Sequence, residues 1–201
     1  MSRYDGGERR LYPGTDVLIN KLGIRDQAEL DEAEAAIVLL ATFELAQNPL
    51  PEPETGPDFS YFLQVHRALF RDVYAWAGDI RDVDISKGAT RFANCQHIVA
   101  EGQRLTRELA AENWLEALSP DEFSHRMAHY MGELNVLHPF REGNGRALRE
   151  YVRYLAERAG HPLSWENVTS AEMIDASIAA YRGDARPLEA LLRRQIGLYN
   201  G

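Results

Sequence analysis

Twelve consecutive residues, from His138 to Arg149, combine side chains that could do chemistry on a phosphate-bearing nucleotide. They read HPFREGNGRALR and hold one imidazole, one carboxylate, two glycines around an amide, and three arginines. His138 is the candidate base, because an imidazole with an ordinary pKa of about 6.5 can take a proton from a hydroxyl at neutral pH. Apolar residues at helical spacing lie on both sides, so we expect two packed helices to hold this loop.

The glycines of this segment lie where the helix after the loop should begin. The N-terminus of a helix presents unpaired N–H groups and a partial positive charge, which suits a phosphate. Gly143 and Gly145 permit positive φ and a close approach of the backbone to a ligand. The sequence therefore predicts a phosphate site formed by the backbone around Asn144.

Charged side chains next to the glycines fit the same ligand. Arg146 and Arg149 lie about one turn apart and can reach one polyphosphate, which a guanidinium holds with two parallel hydrogen bonds. Glu142 would be repelled by phosphates unless a divalent cation lay between them. Mg²⁺ is the usual partner of one carboxylate plus substrate phosphates, so we expect Glu142 to hold Mg²⁺.

Each of these features has a simpler interpretation when taken alone. A histidine at a helix end is more often a cap than a base, and a Gly-x-Gly after a helix is usually a turn. Their presence together in one loop favours the site. His125, His129 and Glu133 also have the spacing of a metal site, but they lie away from the apolar face and are interpreted as solvated surface. His66 and His97 are interpreted as structural.

The composition is typical of one globular domain in a reducing, cytosolic compartment. The chain has 201 residues, 45% of them hydrophobic and 26% charged, which is enough for a single core. A net charge of -9 disfavours nucleic acid and anionic membrane as direct partners. Cys95 is the only cysteine, so there is no internal disulfide. We expect no membrane-spanning helix, although an export signal read by a receptor would not be visible in this way.

Hydrophobic periodicity predicts an all-α fold. Helices are expected over residues 26–47, 58–78, 97–113, 120–137, 170–182 and 187–198, and a further one from the glycines of the motif to residue 159. Residues 1–20 are polar and turn-rich, which predicts an irregular arm over the surface. Four prolines and a glycine in residues 48–57 predict a loop.

One stretch departs from helical periodicity and predicts a short β-hairpin. Residues 80–85 alternate apolar and polar, residues 87–89 resemble a turn, and residues 91–93 resume an extended pattern. A lone hairpin is marginal in water, so it must lean on the helices. Its open edge could pair with an extended segment of another protein, or the hairpin could be a mere connector.

The segment His138 to Arg146, followed by Arg149, resembles the signature H-x-F-x-(D/E)-G-N-G-R-x-x-R of the Fic family at every position. Asp79 to Ala93 is similar to the flap hairpin of that family, and Tyr12 to Thr15 to its opening segment. The resemblance implies a single Fic domain over 1–201, with an N-terminal arm (1–25), a flap hairpin (79–94) and a catalytic loop with helix start (138–149). It also implies a helical bundle that transfers AMP from ATP to a protein hydroxyl.

The same resemblance implies a role for each motif residue. His138 would deprotonate the target side chain, Glu142 would hold Mg²⁺, and Asn144 would touch the phosphates. The backbone of residues 143–145 would cradle the phosphates, while Arg146 and Arg149 would hold the β- and γ-phosphates. The flap residues expected to line the nucleotide site and to align the target segment are Lys87, Gly88, Ala89 and Thr90.

Two glycines distinguish this chain from other branches that the family contains. Phosphoryl-transferring relatives such as the Doc toxins carry lysine at the position of Gly145, and a branch that uses a nucleotide diphosphate-linked choline carries alanine at the position of Gly143. The glycines therefore favour attack on the α-phosphate of ATP. The alternatives are a Fic-type phosphoryl transferase and a catalytically idle nucleotide-binding module whose hairpin docks a partner.

The resemblance also implies how the activity is restrained. Many Fic proteins carry an inhibitory helix, S/T-x-x-x-E-G/N, whose glutamate pairs with the second motif arginine. No match occurs here, since the Glu-Gly and Glu-Asn pairs at 101, 112, 142 and 166 lack serine or threonine four residues earlier. We therefore expect a separate small antitoxin that reaches Arg149, as in bacterial Fic toxins, some of which modify type II topoisomerases.

Overall fold

The computed structural model of the protein describes residues 10–199, which are mostly helical with one small hairpin. The helices are α1 (Gln27–Gln47), α2 (Phe59–Phe70), α3 (Ile98–Ala111), α4 (Pro120–Leu137), α5 (Asn144–Arg158), α6 (Ser170–Tyr181) and α7 (Arg186–Tyr199), and the strands are β1 (Ser86–Lys87) and β2 (Thr90–Arg91). The predicted fold class is confirmed. Residues 1–9 and 200–201 lie outside the described residues, and so do the first residues of the predicted arm.

Capping side chains fix where several helices begin. Asp26 accepts a hydrogen bond from the N–H of Glu29 at the start of α1, and Asp58 accepts two from the first turn of α2. At α4, Ser119 and Glu122 form a capping box, with proline at the first helical position. These caps satisfy N–H groups that a helix leaves without partners, so the sequence sets the helix starts closely.

Helix α4 is the central element of the core and leads directly into the motif loop. It packs against α3, α5, α6 and α7, while α2 packs against α5. The α4 side chains that are buried in the core include Phe123, Met127, Tyr130, Met131, Leu134 and Leu137. The loop from His138 to Gly143 is therefore held between two packed helices, as predicted.

Helix α2 ends earlier than the sequence pattern indicates. The predicted end was near Gly78, but the helix ends at Phe70, and turns follow. Tyr74 still donates its N–H to the carbonyl of Phe70 at helical spacing, but the N–H of Val73 donates to the same carbonyl, so the chain closes into a tighter turn there. Val73, Tyr74, Trp76 and Ala77 are buried in that turn, so their apolar pattern does not report a helix.

The hairpin exists but is much shorter than the predicted one. Its strands pair Ser86 with Arg91 and Lys87 with Thr90, around a turn in which Gly88 has a φ of +56°. Residues 80–85 are not a strand, because Arg81 turns inward and its backbone N–H donates to the carbonyl of Pro139. The alternation of residues 80–85 therefore reflects burial against the motif loop.

The described part of the N-terminal arm, residues 10–25, contains no helix and is anchored rather than loosely attached. A bridge joins Leu11 to Leu18, and Val17 and Leu18 are buried. The N–H of Lys21 donates to the carbonyl of Val73, in the turn after α2. No helix of the described residues is both long and apolar enough to cross a bilayer.

Candidate active site

The motif loop begins with a histidine in an uncommon backbone conformation. His138 caps the C-terminus of α4 with φ 45° and ψ 61°, the left-handed region. Its ring stacks on Phe92 of the flap, with centroids 3.6 Å apart and planes 13° from parallel. The ring Nδ1 lies 2.9 Å from the carbonyl of Asn135, to which it donates, so the neutral ring carries its basic lone pair on Nε2.

Burial keeps the His138 ring neutral. Removal from water, with the nearby charges of Arg81 and Lys87 adding to it, lowers the pKa of His138 to about 3. The ring is therefore in the form that accepts a proton at any physiological pH. The role of His138 as a base stays a prediction.

An arginine from the base of the flap holds the backbone on both sides of His138. The Arg81 guanidinium donates to the carbonyls of His138 at 2.8 Å and Leu137 at 3.3 Å. It also donates to the flap carbonyls of Val83 at 2.7 Å and Ala93 at 2.5 Å. Its side chain is 1% exposed. The sequence analysis missed this residue, whose only signal was a cation inside an alternating apolar run.

A second side chain from outside the motif, His66 of α2, holds the middle of the loop. Its Nε2–H donates to the carbonyl of Glu142 at 3.0 Å, and its Nδ1 accepts from the N–H of Gly78 at 2.9 Å. The ring stacks on Phe140 with centroids 3.7 Å apart. Burial lowers the pKa of His66 to about 3, so it stays neutral. The structural role predicted for His66 is confirmed.

The Asn144 side chain closes the loop onto itself. Its Oδ1 accepts from the N–H of Phe140, and its Nδ2 donates to the carbonyl of the same residue, both at 2.8 Å. Both polar groups of the amide are thus engaged with the loop backbone, and the side chain is buried. The expected phosphate contact of Asn144 stays a prediction for its backbone N–H.

The two motif glycines differ in what an added side chain would meet. Gly143 has φ +79°, and a Cβ there would lie 2.3 Å from the Phe70 ring. At Gly145 a Cβ would meet only the Arg149 Nη1, at 3.8 Å, and the residue is exposed to the neighbouring cleft. Gly143 therefore permits the fold of the loop, whereas Gly145 keeps the cleft open.

The cleft beside the loop brings together part of the predicted site. Its volume is about 260 Å³, and it is lined by Lys87, Thr90, Phe92, Asn135, His138, Gly145, Arg149, Met173, Ile174, Ser177, Ile178 and Tyr181. It contains the candidate base, one motif arginine and two of the four predicted flap residues, against a mostly apolar wall from α6. The other two predicted flap residues, Gly88 and Ala89, form the turn and do not line it.

Arg149 is a cation in this cleft without a counter-ion. Its guanidinium makes no hydrogen bond or ion pair with any side chain or carbonyl of residues 10–199, although its backbone carbonyl accepts from Trp165 at 2.9 Å. Burial, and then the charge of Arg146, lower the pKa of Arg149. A half-buried guanidinium without an acceptor among residues 10–199 has the chemistry to hold an anion, and the nucleotide contact expected for Arg149 stays a prediction.

Arg146 points away from the cleft, contrary to the expectation that both arginines reach one polyphosphate. Its Nη2 lies 2.5 Å from Oε1 of the buried Glu34 on α1, and its guanidinium lies over the Phe70 ring at 4.8 Å. The hydroxyl of Tyr74 donates to the other oxygen of Glu34. Glu34 is 112 residues from Arg146, so no local pattern indicated the pair.

Glu142 also lies on the Arg146 side of the loop. Its Oε1 accepts from the N–H of Gly143 at 2.9 Å and lies 3.6 Å from the Arg146 Nη2. It lines a separate cavity of about 20 Å³ with Glu34 and Tyr74. The described residues contain no cluster of three His, Cys, Asp or Glu side chains that could hold a metal ion alone. One carboxylate fits Mg²⁺ only where substrate phosphates supply further ligands.

The stripe of His125, His129 and Glu133 lies on the surface, as interpreted from the sequence. His125 is 67% exposed and pairs with Glu189 of α7 at 2.9 Å. No metal cluster forms with His129 and Glu133 among residues 10–199. The motif loop therefore remains the candidate site.

Comparisons with known proteins identify relatives of this chain. Residues 57–156 match the sequence profile described as the Fic/DOC family. The chain is 42% identical over 198 residues to the protein adenylyltransferase VbhT of Bartonella schoenbuchensis, covering 98% of this chain but only 41% of VbhT. It is 35% identical over 192 residues to the "Probable protein adenylyltransferase Fic" of Salmonella typhimurium, covering 96% and 94% of the two chains.

Solved structures show the same fold. The Bartonella tribocorum effector BepC, crystallised with bound AMPPNP, is 31% identical and superposes with a TM-score of 0.85. The match covers 92% of this chain and 95% of that one. The nucleotide analogue was observed in BepC.

We expect Gly143→Ala to destabilise the fold more than Gly160→Ala. Both glycines have positive φ, but a Cβ at Gly160 meets nothing within 4 Å, whereas at Gly143 it meets Phe70. G160A should cost about 1–2 kcal/mol for the left-handed backbone, and G143A about 1–3 kcal/mol more for the clash. Urea unfolding of both variants measures the difference, and equal losses would contradict the steric requirement.

The free energy of unfolding should fall as the pH drops from 7 to 5. His66 and His138 have native pKa values depressed to about 3, so protonation below the ordinary value near 6.5 favours the unfolded chain. Each histidine should cost ~2 kcal/mol at pH 5 relative to pH 7. In His138→Ala the pH-dependent loss, measured by urea unfolding at the two pH values, should be about half that of the wild type. An undiminished loss would show that His138 titrates normally.

Proposed function

The chain belongs to the Fic/DOC family, and we propose that it acts as a protein adenylyltransferase, the activity for which its relatives are named, by transferring AMP from ATP to a hydroxyl side chain of another protein. One observation supports this proposal most strongly. The neutral His138 and the counter-ion-free Arg149 line the same cleft, so a proton acceptor and an anion site face one ligand.

The chain's own residues account for the chemistry of the proposed transfer. The target hydroxyl oxygen forms a bond to the α-phosphorus of ATP, the bond from that phosphorus to the bridging oxygen breaks, and pyrophosphate leaves. Nε2 of His138 takes the hydroxyl proton. Arg149 stabilises the negative charge of the polyphosphate, and the N-terminus of α5 contributes its partial positive charge. Mg²⁺ held by Glu142 and the phosphates would neutralise further charge.

Gly145 supports transfer of AMP over transfer of the γ-phosphate. A side chain at this position would project from the cleft wall next to the Arg149 Nη1. A lysine there would add a second cation and fill space beside Arg149, whereas glycine leaves that part of the cleft open to the α-phosphate end of the nucleotide. Attack at the α-phosphate is therefore sterically open.

The flap supports a role in holding the protein substrate. Lys87 and Thr90 line the cleft from the two paired strands, and Phe92 of the same segment stacks on His138. A two-stranded sheet leaves its outer edges open to another extended chain. A target segment paired along this edge would place its hydroxyl beside His138.

We further propose that a small separate protein restrains the enzyme, as the absence of the family's inhibitory helix pattern suggests. The buried Glu34 bonds Arg146, which leaves Arg149 as the motif arginine in the cleft. A glutamate from such an inhibitor would pair with the Arg149 guanidinium, which has no acceptor among the described residues. It would thereby displace the terminal phosphate of ATP.

ATP labelled in different phosphates distinguishes AMP transfer from phosphoryl transfer. Purified protein, Mg²⁺ and host lysate should give a labelled protein band with ATP labelled at the α-phosphate and none with ATP labelled at the γ-phosphate. His138→Ala should lose at least about a hundredfold of the rate, because general-base catalysis contributes roughly 10²–10⁴-fold. The reverse labelling would replace the proposal with phosphoryl transfer. ATP binding without any labelled protein would favour the idle nucleotide-binding module.

The two motif arginines should respond differently to removal. Arg149→Ala should weaken ATP binding with little change in stability, since its guanidinium bonds no described residue. Arg146→Ala should instead destabilise the fold by about 3–5 kcal/mol, the cost of leaving a buried carboxylate such as Glu34 without its partner. Isothermal titration with ATP and urea unfolding of both variants measure these effects.

Arg149→Ala also tests the proposed inhibitor. Inhibition by a glutamate-bearing partner should be lost in this variant, while binding of the rest of the partner persists. Undiminished inhibition of residual activity would contradict pairing with Arg149.

A further inference from the structure

Arg81 connects the flap to the candidate base through hydrogen bonds to backbone carbonyls, and its Nη1 also lies 3.8 Å from Oδ1 of Asp84. Its guanidinium donates to Val83 and Ala93, which lie before β1 and after β2, and to Leu137 and His138 at the end of α4. Its own backbone N–H donates to the carbonyl of Pro139 at 2.9 Å. The Arg81 side chain thus joins both ends of the flap to the backbone of Leu137 and His138.

The backbone at His138 needs such support. A non-glycine residue in the left-handed region costs roughly 1–2 kcal/mol, and persists only where surrounding contacts determine it. The helix C-terminus also leaves carbonyls without intrahelical partners, which a cation nearby satisfies well. Arg81 supplies donors to two of these carbonyls.

The stacking of Phe92 on the His138 ring also depends on Arg81. Phe92, which stacks on His138, adjoins Ala93, whose carbonyl bonds Arg81 and whose N–H donates to Val136 at 3.0 Å. Moving the guanidinium would release the stacking partner and the histidine backbone together. A lysine has one nitrogen and no planar fork, so it cannot reach four carbonyls at once.

We propose that Arg81 is a positioning residue for the reaction, which holds His138 in its left-handed conformation against Phe92 and couples the flap to the base. The expected effect on kcat rests on the proposed adenylyl transfer, whereas the expected orientation of the His138 ring does not. The orientation of the ring can be measured without turnover.

The decisive variants are Arg81→Lys and Arg81→Gln, compared with the matched control Arg67→Lys. Arg67 likewise donates its Nε to a backbone carbonyl, that of Ala77 at 3.2 Å, but its side chain is 64% exposed. In R81K and R81Q we expect kcat for AMP transfer to fall at least tenfold while the Kd for ATP changes less than threefold. R67K should match the wild type in both.

Proton NMR of the His138 ring gives a readout that does not require activity. Stacking at 3.6 Å on Phe92 should shift the ring protons upfield in the wild type, and this shift should shrink in R81K and R81Q. Unchanged ring signals and kcat in a folded variant would overturn the proposal. Failure of both variants to fold, or a proportional loss of ATP affinity and kcat, would also overturn it by assigning Arg81 to general stability.

The experiment separates this proposal from the proposed function. If the wild type transfers no AMP, adenylyl transfer is wrong, and the ring signals alone decide whether Arg81 positions His138. If the wild type is active and the ring signals are unaffected in R81K and R81Q, the positioning role is wrong and the transfer stands.

Discussion

The site depends on the hydrogen bonding of the carbonyl oxygens between the end of α4 and the start of α5. A chain that leaves one helix and enters another within six residues cannot satisfy its own carbonyls, and buried carbonyls without donors cost free energy. Arg81 donates to the first of them, Asn144 to that of Phe140, and His66 to that of Glu142. Because these carbonyls are bonded within the protein, the loop has one backbone conformation, and the positions of His138 and Arg149 follow from it.

Packing of the loop also removes water from the side chains of His138 and Arg149. The effect on the charge of these two side chains is opposite. The His138 ring loses its proton and becomes a neutral acceptor, since burial disfavours its charged form. Arg149 keeps its charge because a guanidinium does not deprotonate in proteins, and it gains no acceptor from the described residues. An anion entering the cleft would recover hydration energy that Arg149 lost on folding.

Much of this arrangement could be predicted from local sequence, and the exceptions share one physical cause. Capping residues such as Asp58 and Ser119 placed helix starts correctly, because a cap acts within four residues. The glycine requirement at Gly143 and the burial of Phe140 also follow from local pattern. The roles of Arg81 and Glu34 could not be predicted, because their partners lie 57 and 112 residues away in the chain. Long-range pairing of a buried polar group leaves no periodic signal.

The two motif arginines show why a matched signature does not fix the state of every side chain in it. Three residues along a helix correspond to about 300° of rotation, so Arg146 and Arg149 lie only about 60° apart around α5. Either could reach a shared ligand. A single carboxylate on α1 decides otherwise, since Glu34, itself buried and bonded by Tyr74, has Arg146 as its cationic partner. The buried pair is stable only while both members stay, because removing either leaves an uncompensated charge. Ligand binding at the loop therefore acts first on Arg149, and Arg146 can contribute only where the ligand outcompetes Glu34.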